Sequence, residues 1–183
     1  MVQSAALLLM ERGVAGTGMR EIAEYAEAPR GSLQHYFPDG KDQVVVEALG
    51  WIAEQVTGSV TRQLEAGAGV TPAAVVAKQF GRWRKILEGS DFLAGCPVMA
   101  TLTDAAANDT LREAAARTFD VWREAVTDAF RAAGLPKPRA ERMALLLISS
   151  LEGAIALSRA QRDIAPLETV GREMQLLVRN TRR

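Results

Sequence analysis

Few side chains in this 183-residue sequence are placed to do covalent chemistry. It holds one histidine, His35, and one cysteine, Cys96. The pair Ser149 and Ser150 has no base at a spacing that would activate a nucleophile. No cysteine–histidine cluster has metal-ligand spacing, and no glycine-rich loop follows a strand. The sequence therefore predicts no enzyme, no metal and no cofactor. Cys96 reads as a small buried hydrophobe. A single cysteine also excludes an intramolecular disulfide, which fits a reducing cytoplasm. The polar side chains that remain of interest lie between residues 17 and 41, and their use depends on the elements that carry them.

Residues 17–37 read as two short helices and a tight turn. Ile22, Ala23 and Ala26 recur at helical spacing on one apolar face. Leu33, Tyr36 and Phe37 do the same for a second segment that is expected to start near Pro29, where a missing N–H needs no partner. Helices this short must pack on each other. A connection of three or four residues around Glu27 and Ala28 leaves them crossed, the helix-turn-helix arrangement that sets a second helix into a DNA major groove. A helical corner with no partner is the alternative reading of these residues alone.

Charge gives this reading little help. The chain carries 22 cationic and 22 anionic side chains, for a formal net charge of zero. Residues 1–50 hold Arg12, Arg20, Arg30 and Lys41 against Glu11, Glu21, Glu24, Glu27, Asp39, Asp42 and Glu47, so 4 − 7 = −3. Binding of nucleic acid would then rest on where the few cations sit while the carboxylates turn elsewhere.

The pattern Gly13, Thr17-Gly18-Met19-Arg20-Glu21-Ile22-Ala23, Arg30-Gly31-Ser32-Leu33-Gln34-His35-Tyr36-Phe37-Pro38 and Lys41 resembles the DNA-binding domain of TetR-family regulators. The extra glycine in Pro38-Asp39-Gly40-Lys41-Asp42 resembles the LmrA/YxaF-like subgroup. Two positions depart from the family pattern: Glu27 stands where the turn usually has glycine, and Gln34 stands where the recognition helix usually has tyrosine. The resemblance implies an all-α protein with a three-helix DNA-binding domain over residues 1–45. Residues 46–183 would form a helical domain that binds a small effector and makes a homodimer. It further implies a transcriptional repressor on a pseudo-palindromic double-stranded operator. Arg20, Arg30 and Ser32 would reach base edges, with Gly31 beside them, while Gln34, Tyr36 and Lys41 would hold phosphates. A helical adaptor or ligand carrier without DNA binding is the competing class.

The rest of the chain reads as helix throughout, rich in alanine and 48% apolar. A helix over Val2–Arg12 stops at Gly13. It is too short and too poorly flanked to be a signal peptide or anchor, so no membrane partner is expected. A long helix from Lys41 to about Glu65 can join two domains. Thr71-Pro72 and Asn108 cap two more, and a short helix follows Pro97. Met143 to Ile148 is apolar on nearly every side and needs two neighbours. With Val170, Met174 and Leu177 of the last helix it predicts a four-helix bundle between two copies. Phe80, Trp83, Met99, Phe119 and Trp122 either pack the core or line an apolar effector cavity, with Cys96, Leu147 and Glu152 as further wall residues. A hydrophobic or aromatic effector would suit such walls.

Overall fold

A computed structural model describes residues 1–29, 31–65 and 70–179, and every regular element among them is a helix. In chain order these are α1 (Val2–Arg12), α2 (Met19–Tyr25), α3 (Ser32–Tyr36), α4 (Lys41–Glu65), α5 (Pro72–Gly89), α6 (Pro97–Asp104), α7 (Asp109–Ala132), α8 (Lys137–Gln161) and α9 (Ala165–Arg179). Caps explain several starts. The Thr71 hydroxyl accepts from the Ala74 N–H (3.2 Å) ahead of Pro72, and Asn108 Oδ1 accepts from the Leu111 N–H (3.2 Å).

The chain packs as two compact units: Met1–Gln55 with Gly95–Asp120, and Val56–Ala94 with the chain from Val121 onward. The expected division at residue 45 follows chain order, whereas packing gathers α6 and the start of α7 with the N-terminal helices. The reason is a set of specific bonds. The Gly95 N–H donates to the Met10 carbonyl (2.7 Å), Asn108 Nδ2 donates to Asp42 Oδ2 (2.7 Å), and the Ala15 N–H donates to Asp104 Oδ2 (3.0 Å). Gly13 makes the last of these possible. Its φ is +69°, and a Cβ there would clash with that same Asp104 oxygen.

In the second unit α9 packs on α5 and α8. Gly171 brings α9 close to α5, because a Cβ at this position would meet Phe80 Cδ1 at 2.9 Å. The buried Ser158 hydroxyl accepts from the Leu167 N–H (3.2 Å) and so ties the start of α9 to α8. Phe130, Met143, Leu147, Leu151, Ile155 and Leu167 are fully buried and form the centre of this unit. Among the described residues, α8 is the helix long and apolar enough to cross a membrane. Its composition has another cause here: one face is this core, while Leu145 (59% exposed), Leu157 (53%) and Leu176 of α9 (50%) lie outside it.

Candidate nucleic-acid interface

The second helix of the motif is shorter than its sequence suggests. It begins at Ser32 with Gly31 as its cap, and the Ser32 N–H instead closes a turn on the Pro29 carbonyl (2.9 Å). Pro29 therefore belongs to the turn and does not open the helix. A five-residue helix has no stability of its own. Its place is set by Leu33 and Phe37, both buried, one helical turn apart. Tyr36, expected on that apolar face, is 60% exposed. The difference is one of angle: positions 33 and 37 lie nearly above each other, and position 36 is rotated off their line by about a fifth of a turn or more. Gln34, His35 and Tyr36 are all exposed, with the His35 and Tyr36 rings edge to face at 5.0 Å. Gly31 is exposed and Ser32 half-buried. Arg30 lies outside the described residues.

The turn shows what Glu27 does. The Ala28 N–H donates to the Ala23 carbonyl (2.9 Å) and the Glu27 N–H to the Glu24 carbonyl (3.1 Å), the double closure of a Schellman cap. Such a cap needs a left-handed residue, and Glu27 takes it at φ +51°. A non-glycine residue in that region costs roughly 1–2 kcal/mol, partly offset by the freedom that glycine loses on folding. Glu27→Gly should therefore leave the fold intact and raise its stability by up to about 1 kcal/mol, read as a higher urea midpoint. A lowered midpoint would show that the Glu27 side chain makes a compensating contact.

Two cations of the site are placed differently. Arg20 is exposed on the first turn of α2, and Lys41 is half-buried at the first position of α4, beside that helix's free N–H groups. Several neighbouring carboxylates are occupied. Glu21 pairs with Arg12 and accepts from the Gly18 N–H (3.5 Å), Asp42 takes Asn108, and Glu47 takes Gln43 Nε2 (2.9 Å). Glu11, Glu24, Glu27 and Asp39 are exposed. Gln43 was not singled out from sequence, yet it fastens the end of α3. Its Nε2 donates to the Tyr36 carbonyl (3.3 Å), and its Oε1 accepts from the Asp39 N–H (3.1 Å). The signal was a long amide in the first turn of a helix, four residues after the turn it closes.

Of the residues expected to line an effector cavity, Phe80, Trp83, Trp122 and Leu147 are buried and Glu152 half-buried in the second unit. Cys96 is buried, Phe119 half-buried and Met99 exposed in the first unit. A cavity of about 310 Å³ opens between α5 and α9, lined by Ala77, Phe80, Gly81, Arg84, Leu167, Glu168, Gly171, Arg172 and Gln175. Phe80 is the member of the expected set found in this lining. The Arg84–Glu168 ion pair (2.6 Å) closes one side of it.

Comparison with known proteins settles the class. Residues 2–48 match the family described as bacterial regulatory proteins, tetR family, and residues 72–173 match the transcriptional regulator LmrA/YxaF-like, C-terminal domain. The chain belongs to the TetR family. This TetR-family chain is 38% identical over 184 residues to the HTH-type transcriptional regulator Rv0196 of Mycobacterium tuberculosis strain H37Rv, covering 97% of this chain and 92% of that one. It is 26% identical to the HTH-type transcriptional regulator LmrA of Bacillus subtilis strain 168, over 91% of this chain and 88% of the relative. A TetR transcriptional regulator from Legionella pneumophila shares the fold at a TM-score of 0.82 and 18% identity, over 97% of this chain and 94% of that one. The protein is thus a DNA-binding transcriptional regulator and not an enzyme.

Proposed function

We propose that this TetR-family regulator is a cytoplasmic homodimeric repressor, released from a pseudo-palindromic operator by a small hydrophobic ligand. The observation that carries the DNA half of the reading is α3 itself, a helix held by Leu33 and Phe37 whose Gln34, His35 and Tyr36 all face outward. Arg20, Arg30 and Ser32 would then read base edges beside Gly31, and Gln34, Tyr36 and Lys41 would fix the register on phosphates. Mobility shift on the chain's own upstream DNA tests the assignment. Arg20→Ala should cost about 1–3 kcal/mol at one base position. Lys41→Ala should weaken all sequences alike and reduce the salt slope by about one. Unchanged affinity in both variants would refute these roles.

The dimer rests on an apolar seam. Leu145, Ser149, Gly153, Ala156, Leu157 and Ala160 are exposed at helical spacing along α8, and Leu176 is exposed on α9. Leucines alternating with small residues suit close pairing of long helices about a two-fold axis, which would offer two reading heads to half-sites about 34 Å apart or a multiple of it. The reading of an effector site in the second unit is supported by Phe80, Trp83, Trp122 and Leu147, which concentrate apolar and aromatic surface there. Release of DNA requires that the ligand favour one arrangement of the reading heads, and α4, which runs through both units, is the covalent link that can carry the bias.

A further inference from the structure

Arg62 on α4 and Lys78 and Arg82 on α5 form a cluster of like charges within the second unit. Lys78 Nζ donates to the Ser59 carbonyl of α4 (2.7 Å), which pins the ammonium at the seam between the two helices. Ser59 lies three residues before Arg62, and Arg82 follows Lys78 by one helical turn, so the three cations belong to the facing sides of the two helices along this seam. Gly58 gives the Arg62 guanidinium room to fold back on its own helix, since a Cβ there would lie 3.2 Å from Nη1. Burial, and then the charge of Arg62, lower both Lys78 and Arg82 below their ordinary values, so each feels the positive charge nearby. Three other arginines of this unit are ion-paired: Arg84 with Glu88 and Glu168, Arg131 with Asp128, Arg162 with Asp91. Among the residues whose side chains are described, a set that does not include Glu65, no carboxylate lies within ion-pair distance of Arg62, Lys78 or Arg82.

We propose that the α4–α5 seam binds a phosphate group through Arg62, Lys78 and Arg82. Two guanidinium forks and a third, point-like donor match the several acceptor oxygens of a phosphate better than the two of a carboxylate. A bound dianion relieves the repulsion that the apo cluster stores. The cluster lies outside the residues 2–48 that match the DNA-reading family, which favours a small phosphate compound over the DNA backbone as the occupant. The group could be free phosphate or a phosphate ester, and the two sources have the same chemistry at these three side chains.

Thermal unfolding of the full chain tests this with inorganic phosphate and phenyl phosphate at about 10 mM, each against sodium chloride at matched ionic strength. Both phosphates should raise Tm by about 3 °C or more over chloride. A larger rise with phenyl phosphate assigns the site to esters, and an equal rise assigns it to the free anion. Arg62→Gln and Arg82→Gln should abolish the rise, while Arg131→Gln should keep it. Without phosphate, Arg82→Gln should melt no lower than the unsubstituted protein, because it removes a repulsion and no partner; a lower Tm there would overturn the like-charge account. The proposal also falls if phosphate does no more than chloride, or if both glutamine variants respond fully. A loss of operator affinity of about tenfold in both variants would hand the cluster to DNA and overturn the small-molecule assignment.

Discussion

Replacing Leu145 and Leu157 together by glutamate should turn the protein into a monomer at micromolar concentration and weaken operator binding by about a hundredfold or more. Both side chains are more than half exposed on α8 and outside the buried core, so the substitution costs the single chain little packing and helix content by circular dichroism should not change. In a two-fold pairing each contact occurs twice, so four leucines are involved. Burying one leucine is worth about 1.5–3 kcal/mol, and each glutamate would add an unpaired charge at the seam. That total is enough to dissociate an ordinary dimer. Operator binding falls because two linked reading heads gain about 10²–10⁴ in avidity over one. Sedimentation checks the first part and mobility shift the second. A doubly substituted protein that stays dimeric would place the dimer contact on another surface.

The second large effect is expected at Phe37. It is 4% exposed and, with Leu33, is what seats the five-residue α3. Phe37→Ala removes about 3–5 kcal/mol of packing from a helix that cannot exist alone. Gln43 would still bond to the Tyr36 carbonyl, but one hydrogen bond of about 1 kcal/mol does not replace a buried ring. Operator binding should fall below detection while the second unit, whose core holds Phe130, Leu147 and Leu151, keeps its fold and its dimer. Hydrogen exchange should show loss of protection confined to α2, α3 and the start of α4, with α8 and α9 unchanged. Equal loss of protection in α8 would mean that the two units unfold as one.

Much of the architecture was legible because its signals are local. Gly13, Thr71-Pro72, Asn108 and Gly134 mark helix ends through backbone demands that hold wherever the helix lies, and the observed ends fall at or beside them. The motif from Thr17 to Lys41 was legible for the same reason, since turn, apolar anchors and outward donors sit at fixed spacings along a short stretch. Where reading failed within that stretch, the cause was short length. A five-residue helix has too little periodicity to separate Tyr36 from Phe37, and a turn proline looks like a helix-opening one.

By itself, then, the amino-acid sequence determined the helix order, the all-α class, the pair of short helices α2 and α3 with their turn, and the family. These follow from periodicity and from caps that act over three or four residues. Only the tertiary structure decided which long-range partners each side chain meets. It attached Asp104 to the loop after α1 and Asn108 to Asp42, and so moved α6 and the start of α7 into the N-terminal unit. It also set Gly171 against Phe80 and left a cavity between α5 and α9 at a place that the spread of aromatic residues did not indicate. It brought Lys78 to Ser59 and so gathered three cations that are up to twenty residues apart in the chain. Contacts between residues that distant depend on the angle and spacing at which whole helices pack, and no local pattern encodes them.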